Sequence, residues 1–210
     1  MVIVEVSSVG RAWLEVSRRI LADGGVATYD GLTTKELSHV TVVVAEPDPN
    51  DPIVEQLGDP AWSAWMRRNF VADVLVPELG SARSYGARLR DHDGSGRDQV
   101  RWVIERLRSD REARSATITT FEPASDTSYV PCVSLLDFWL PDGQLELVVY
   151  AHSLDFGKKA YGNLVELARL QWEVADGVGA PRGDLRVHAK SAHVYEDEWA
   201  LMERLVDAAG

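Results

Sequence analysis

The chain has 210 residues, 45% of them hydrophobic and 26% charged, and carries a formal net charge of −11. That length suits one sizeable core, and the composition is that of an ordinary globule folding as a single domain over residues 1–210. The acidic balance excludes a nucleic-acid backbone as the main partner, although a few local arginines would still serve a small anion. No apolar run approaches the roughly 20 residues that span a bilayer. The N-terminal stretch Met1 to Val6 lacks the basic start of a secretory signal. One cysteine excludes an internal disulfide framework and suits a reducing compartment, so a cytoplasmic protein without membrane attachment is expected.

In chain order, Trp13, Val16, Ile20 and Leu21 recur at near-helical spacing and predict a helix over residues 9–22, stopped by Asp23-Gly24-Gly25. The β-branched run from Val40 to Val44 reads as a buried strand, and a rigid acidic loop with three prolines follows from Glu46 to Pro52. Trp62 and Trp65 share a short segment with Arg67, Arg68 and Phe70. Two readings of the indoles are open: one apolar helix face packed on the core, or a platform for a planar ligand. Val100, Val103, Ile104 and Leu107 mark an amphipathic helix at about 98–109, and Thr117 to Phe121 alternates like a strand. Residues 133–140 and 144–151 flank Asp142-Gly143, a strong hairpin-turn signal. A helix opens at Asn163, with Leu164, Leu167, Ala168, Gln171, Val174 and Ala175 along it. Leu185, Val187 and Ala189 then alternate with Arg186, His188 and Lys190 as a strand, and Trp199, Met202, Leu205 and Val206 form a closing helix. Hairpin-joined strands among interspersed helices predict an α+β fold, a mixed β-sheet with flanking helices, and not a doubly wound parallel sheet.

The five histidines and the cysteine show no metal-ligand spacing, and neither a Gly-rich phosphate loop nor a Gly-x-Ser-x-Gly elbow is present. Cys132, at the head of the hairpin, is a candidate nucleophile. A thiolate suits attack on a soft, electron-poor carbon, and Arg114, His152 or another arginine could supply the positive charge it needs. Residue statistics equally allow a buried strand thiol. His193 and Tyr195, two apart near a strand end, would present hydrogen-bonding groups on one face.

Taken together these pieces resemble the thymidylate synthase superfamily, which includes the pyrimidine-nucleotide 5-hydroxymethylases. Ser84-Tyr85-Gly86-x-Arg88 is similar to the family's Tyr-Gly element, and Asp98-Gln99 with Ile104 and Leu107 to its Asp-Gln helix. Ser109-Asp110 with Arg114 resembles its phosphate loop, Pro131-Cys132 its Pro-Cys nucleophile, and Tyr150-Ala-His152-Ser153-Leu-Asp155 its Tyr-x-Arg-Ser-x-Asp. Asn163 falls where the family keeps a base-reading asparagine, and His193-Val-Tyr195 resembles its sugar clamp. The resemblance implies a thymidylate synthase-like fold, a pyrimidine nucleotide as substrate, 5,10-methylenetetrahydrofolate as cofactor and a homodimer whose phosphate loop reaches across. It implies Cys132 and Tyr85 as catalytic residues. Arg114, His152, Ser153, Asn163, His193 and Tyr195 would hold the nucleotide, and Asp155, Trp62 and Trp65 the folate.

The departures from the pattern bear on the substrate's anionic end. His152 and Ser115 stand where arginines are expected, and Thr28-Tyr29-Asp30-Gly31 carries none where an N-terminal phosphate loop is expected. Either Arg88, Arg90 or Lys35 compensates, or the phosphate is absent or placed differently. Glu36, Glu46 and Glu55 are the candidates for the family's catalytic glutamate. The sequence ends soon after Tyr195 without the family's closing segment, which favours hydroxymethylation by water over hydride transfer. A compact thymidylate synthase or a non-catalytic nucleotide-binding relative are the alternatives.

Overall fold

The computed structural model describes every residue except Asp30, Ala72, Asp73, Leu75, Ser128 and Gly210. The N-terminal half runs β1 (Val2–Val6), α1 (Val9–Asp23), β2 (Gly25–Tyr29), β3 (Leu32–Val44), α2 (Pro52–Leu57), α3 (Pro60–Phe70), α4 (Tyr85–Arg90) and α5 (Gln99–Ser109). It continues with β4 (Ala116–Thr119), β5 (Val133–Trp139), β6 (Leu145–Ala151), β7 (Leu154–Asp155), α6 (Ala160–Val178), β8 (Arg182–Tyr195) and α7 (Trp199–Ala209). The strands form one sheet in the order β1-β3-β8-β6-β5-β4, with β2 beside β3 and β7 beside β8. Pairs β1–β3, β6–β8 and β7–β8 are parallel and the rest antiparallel, so the sheet is mixed and the fold is α+β. None of the described helices is long and apolar enough to cross a membrane.

The helix starts are written in short polar side chains. Ser8, Asp51, Asp59, Ser84 and Asp98 each accept a backbone N–H of the helix that follows, and prolines open α2 and α3. Asp51 does this for two helices. Its carboxylate takes Ile53 N at 2.8 Å within α2 and Gly10 N at 2.9 Å at the start of α1. The hairpin turn is as the sequence reads: Asp142 and Gly143 both take positive φ, 51° and 82°.

One face of the sheet carries α1 and α6 over an aliphatic core that includes Val40, Val42, Leu147, Val149, Leu185 and Val187. The opposite face is open. Leu135, Trp139, Val148 and Tyr150 are each more than a third exposed there, and His188 stacks between His39 and Tyr150 at centroid distances of 5.8 and 5.9 Å.

The strand alternation does not run unbroken. His39, with φ 56°, interrupts β3 between Ser38 and Val40, and Lys190 lies opposite on β8 between Ala189 and Ser191. Before the break Leu185, Val187 and Ala189 face the core; after it Ala192 and Val194 do. The swap turns His193 and Tyr195 off the helix-covered face and toward the site. Strict alternation would have carried them into the core beside Ala189.

Candidate active site

A cavity of about 440 Å³ opens where β5, β6, β7 and β8 converge on the start of α6. It is lined by Tyr85, Cys132, His152, Ser153, Asp155, Asn163, His193 and Tyr195, with Trp65 from α3. Segments far apart in sequence thus deliver these residues to one place. An adjoining cavity of about 650 Å³ shares Asp155, Lys159 and Tyr195 and adds Trp62, Lys158, Leu32 and Thr33.

Cys132 immediately precedes β5 and is half-buried; it lines the cavity and is not a core strand thiol. Its carbonyl accepts His152 N at 3.0 Å, which ties the β5 and β6 ends together. The buried Tyr85 hydroxyl accepts Val133 N at 3.1 Å, one residue from the nucleophile candidate. Tyr85 N in turn donates to Asn69 Oδ1 at 3.1 Å, and its ring packs on Phe70 at 4.6 Å. Burial pushes the Cys132 thiol up; Lys159 pulls it down and Asp155 pushes it up further.

The two cavity histidines are both held neutral. Burial lowers His193 to about 4, and it lowers His152 as well, with Lys190 adding to the effect. Ser153 Oγ and Ser191 Oγ lie 3.4 and 3.5 Å from His193 Nδ1, and Tyr195 meets the imidazole edge-on at 5.1 Å. Asp155 is pushed up by burial, while the Lys158 and Gly157 N–H groups on its carboxylate and the Lys159 charge oppose this.

Asn163 lies in the first turn of α6, which begins at Ala160. Its Nδ2 donates to Lys159 O at 3.2 Å, and its Oδ1 is buried with no partner. The Trp65 Nε1 is also buried without a partner. A buried polar atom left unpaired costs about 1–3 kcal/mol, so two in residues lining one cavity mark where a polar ligand would complete the bonding. Trp62 and Trp65 are half-buried, edge-to-face at 5.7 Å, and both line cavity wall.

Other residues named from the sequence lie away from this cavity. Arg114 is exposed on the loop before β4 and does not line the cavity. Arg88 is buried but committed to Asp126, at 2.7 and 2.8 Å, and to Thr120 O. Arg90 pairs with Glu173, and Lys35 donates to Leu21 O on the α1 side. Each of the three already has partners away from the cavity. Of the glutamate candidates, Glu36 pairs with His193 across β3 and β8, Glu46 is exposed, and Glu55 lines a separate cavity with Arg67 and Glu166. None of them lines the Cys132 cavity.

Several cavity residues were given no role from the sequence, among them Lys159, Asn69 and Tyr29. Lys159 falls between two motif positions, Asn69 lies in α3 outside any motif, and Tyr29 comes from the β2–β3 tip. Only Tyr29 carried a signal, as part of the expected phosphate loop; Asp30 of that loop lies outside the described residues.

The family model described as thymidylate synthase matches residues 28–208. Similar proteins include one from Methanococcoides burtonii, 30% identical with 97% of this chain and 94% of the relative covered. Another, from Methanosarcina acetivorans, is 32% identical over the same shares of both chains, and one from Methanopyrus kandleri is 38% identical over 62% of this chain and 64% of its own. All three bear the name "Putative thymidylate synthase". With the family model covering most of its length and the motif residues gathered around Cys132, the chain belongs to the thymidylate synthase family.

Proposed function

We propose that this protein transfers a one-carbon unit from 5,10-methylenetetrahydrofolate to C5 of a pyrimidine nucleotide, through a covalent adduct of Cys132 at C6, and that the product is the 5-hydroxymethyl nucleotide. The observation that carries the reading is the shared cavity, in which a half-buried thiol faces the unpartnered Asn163 amide oxygen and the His193–Tyr195 pair. The Cys132 sulfur forms a bond to C6 while the C5=C6 pair moves onto C5, making C5 the nucleophile. Asn163 Oδ1 accepts N3–H of a uracil ring, and the second Nδ2 hydrogen is left for O4. His193, neutral at physiological pH, and Tyr195 hold a sugar hydroxyl, and Tyr85 fixes the backbone beside the thiol. His152 and Ser153 face the anionic end; a neutral imidazole there gives a hydrogen bond and no charge.

The residues present fit a folate. Asp155 offers a carboxylate to the N–H groups of a pterin, and the Trp62–Trp65 wall offers an indole surface and a free Nε1 donor beside it. The folate, when bound, supplies the electrophilic methylene. Among the described residues, those after Tyr195 turn into α7, which packs on α1; none of them lines the Cys132 cavity, and Glu196 and Asp197 line the adjoining one. The cavity is rimmed by the exposed Tyr29, Tyr129 and Val130, an opening that supports capture of the exocyclic methylene by water. The relatives' names favour a second reading, reductive methylation of dUMP.

A homodimer is part of the proposal. The apolar residues Leu135, Trp139, Val148 and Tyr150 on the open sheet face would supply the surface, and Arg114, exposed on its loop, would serve a second copy's site.

Product analysis separates the readings. After incubation with methylenetetrahydrofolate and UMP, dUMP, CMP or dCMP, the nucleotide should gain the mass of CH₂O with no absorbance rise from dihydrofolate. A gain of CH₂ with dihydrofolate formation establishes methylation instead. No modified nucleotide with any of the four overturns both.

A further inference from the structure

Lys159 belongs to none of the motifs, yet among the described residues it is the one lysine or arginine that lines the Cys132 cavity. It lines the adjoining cavity as well, and its Nζ lies 5.4 and 5.7 Å from the ring centroids of Trp62 and Trp65. Its neighbour Lys158 is committed to Asp197 at 2.8 Å and Glu198 at 3.0 Å. Lys159 makes no ion pair among the described residues, and the indole faces hold it only weakly, by about 0.5–2 kcal/mol. A partly buried ammonium with no carboxylate in salt-bridge contact, sharing its cavity with Asp155 and with one thiol, is poised for an anion, because its field is screened less there than in water.

We propose that Lys159 is the group that makes Cys132 reactive, stabilising its thiolate against the burial that disfavours it. The inference rests on the proposed reaction for its substrate but not for its effect on the sulfur. The Sγ–H proton passes to solvent, the sulfur pair is kept beside the ammonium, and on attack that pair becomes the S–C6 bond while the C5=C6 pair moves to C5. The other ionisable groups facing Cys132 cannot supply the charge. Asp155 works against it, Tyr85 and Tyr129 are pushed up by burial and stay neutral, and burial holds His152 and His193 neutral. Burial raises the thiol most, and Lys159 is the foremost influence opposing that rise. The charge that the sequence reading sought in Arg114 or His152 comes from the turn leading into α6.

The test needs neither nucleotide nor folate. Because the chain has one cysteine, iodoacetamide reports on Cys132 alone. The alkylation rate as a function of pH is compared for wild type, Lys159→Met, Lys159→Arg and Lys158→Met. Lys159→Met should move the midpoint upward by about one pH unit, a roughly tenfold slower reaction near neutrality. Lys159→Arg should restore most of the rate, and Lys158→Met should leave the profile in place. Lys159 makes no side-chain cap on α6, so the Met variant keeps the helix start, and circular dichroism checks the fold. An unchanged midpoint in Lys159→Met overturns the inference, as does an equal shift in Lys158→Met. If alkylation shifts but no nucleotide is modified, the proposed function fails and the role of Lys159 stands; nucleotide modification with an unmoved midpoint fails Lys159 alone.

Discussion

Burial sets what each cavity side chain can do. His193 titrates at about 4 in the fold and near 6.5 when unfolded, so between those values the unfolded chain binds more protons. Stability from this residue is therefore full above pH 6.5 and is lost as pH falls toward 4, by ~3 kcal/mol at most. Urea unfolding at pH 7 and pH 4.5 should show His193→Gln losing less stability on acidification than wild type; an equal loss contradicts the assignment. Asp155 is pushed up by burial and contributes the opposite slope, which is why the comparison is made against wild type. Asn163→Ala removes the unpartnered acceptor, and nucleotide affinity should fall by about tenfold or more, measured by calorimetry, with little change in unfolding midpoint. The motif residues of the site were legible in the sequence because each sits at an element end with a fixed spacing. Lys159 was not, since nothing in its local pattern distinguishes it from Lys158; only the fold shows that Lys158 is ion-paired to Asp197 and Glu198 while Lys159 lines the cavity of the thiol.

At the scale of elements, the side chains that join them matter more than those within them. Asp51 is 1% exposed and anchors α1 and α2 at once. Asp51→Ala removes a helix cap and strands the buried Gly10 N–H, so a loss of about 2–4 kcal/mol is expected in denaturant unfolding. Helices and strands were legible where apolar periodicity was long, as in α1, α5, α6 and the β5–β6 hairpin. The extents of β3 and β8 were not. Polar residues such as Lys35, Glu36, Ser191 and His193 continue both strands beyond the apolar runs, because cross-strand bonds and not side-chain hydrophobicity hold that end. The break at His39 and Lys190 left no signal either, although it decides which way His193 points.

For the whole molecule, the open sheet face and the exposure of Arg114 away from its own cavity support the dimer proposal together. Tyr150→Glu in the middle of that face should convert a dimer to a monomer in light scattering and lower activity with it; an active monomer contradicts the shared site. The central claim, that Cys132 adds to C6 and activates C5, is tested most directly by release of tritium from [5-³H]UMP or [5-³H]dUMP in the presence of methylenetetrahydrofolate. Wild type should release tritium to water, and Cys132→Ser should reduce the rate at least a thousandfold while still binding nucleotide. No release by wild type from any pyrimidine nucleotide, or equal release by Cys132→Ser, would contradict it.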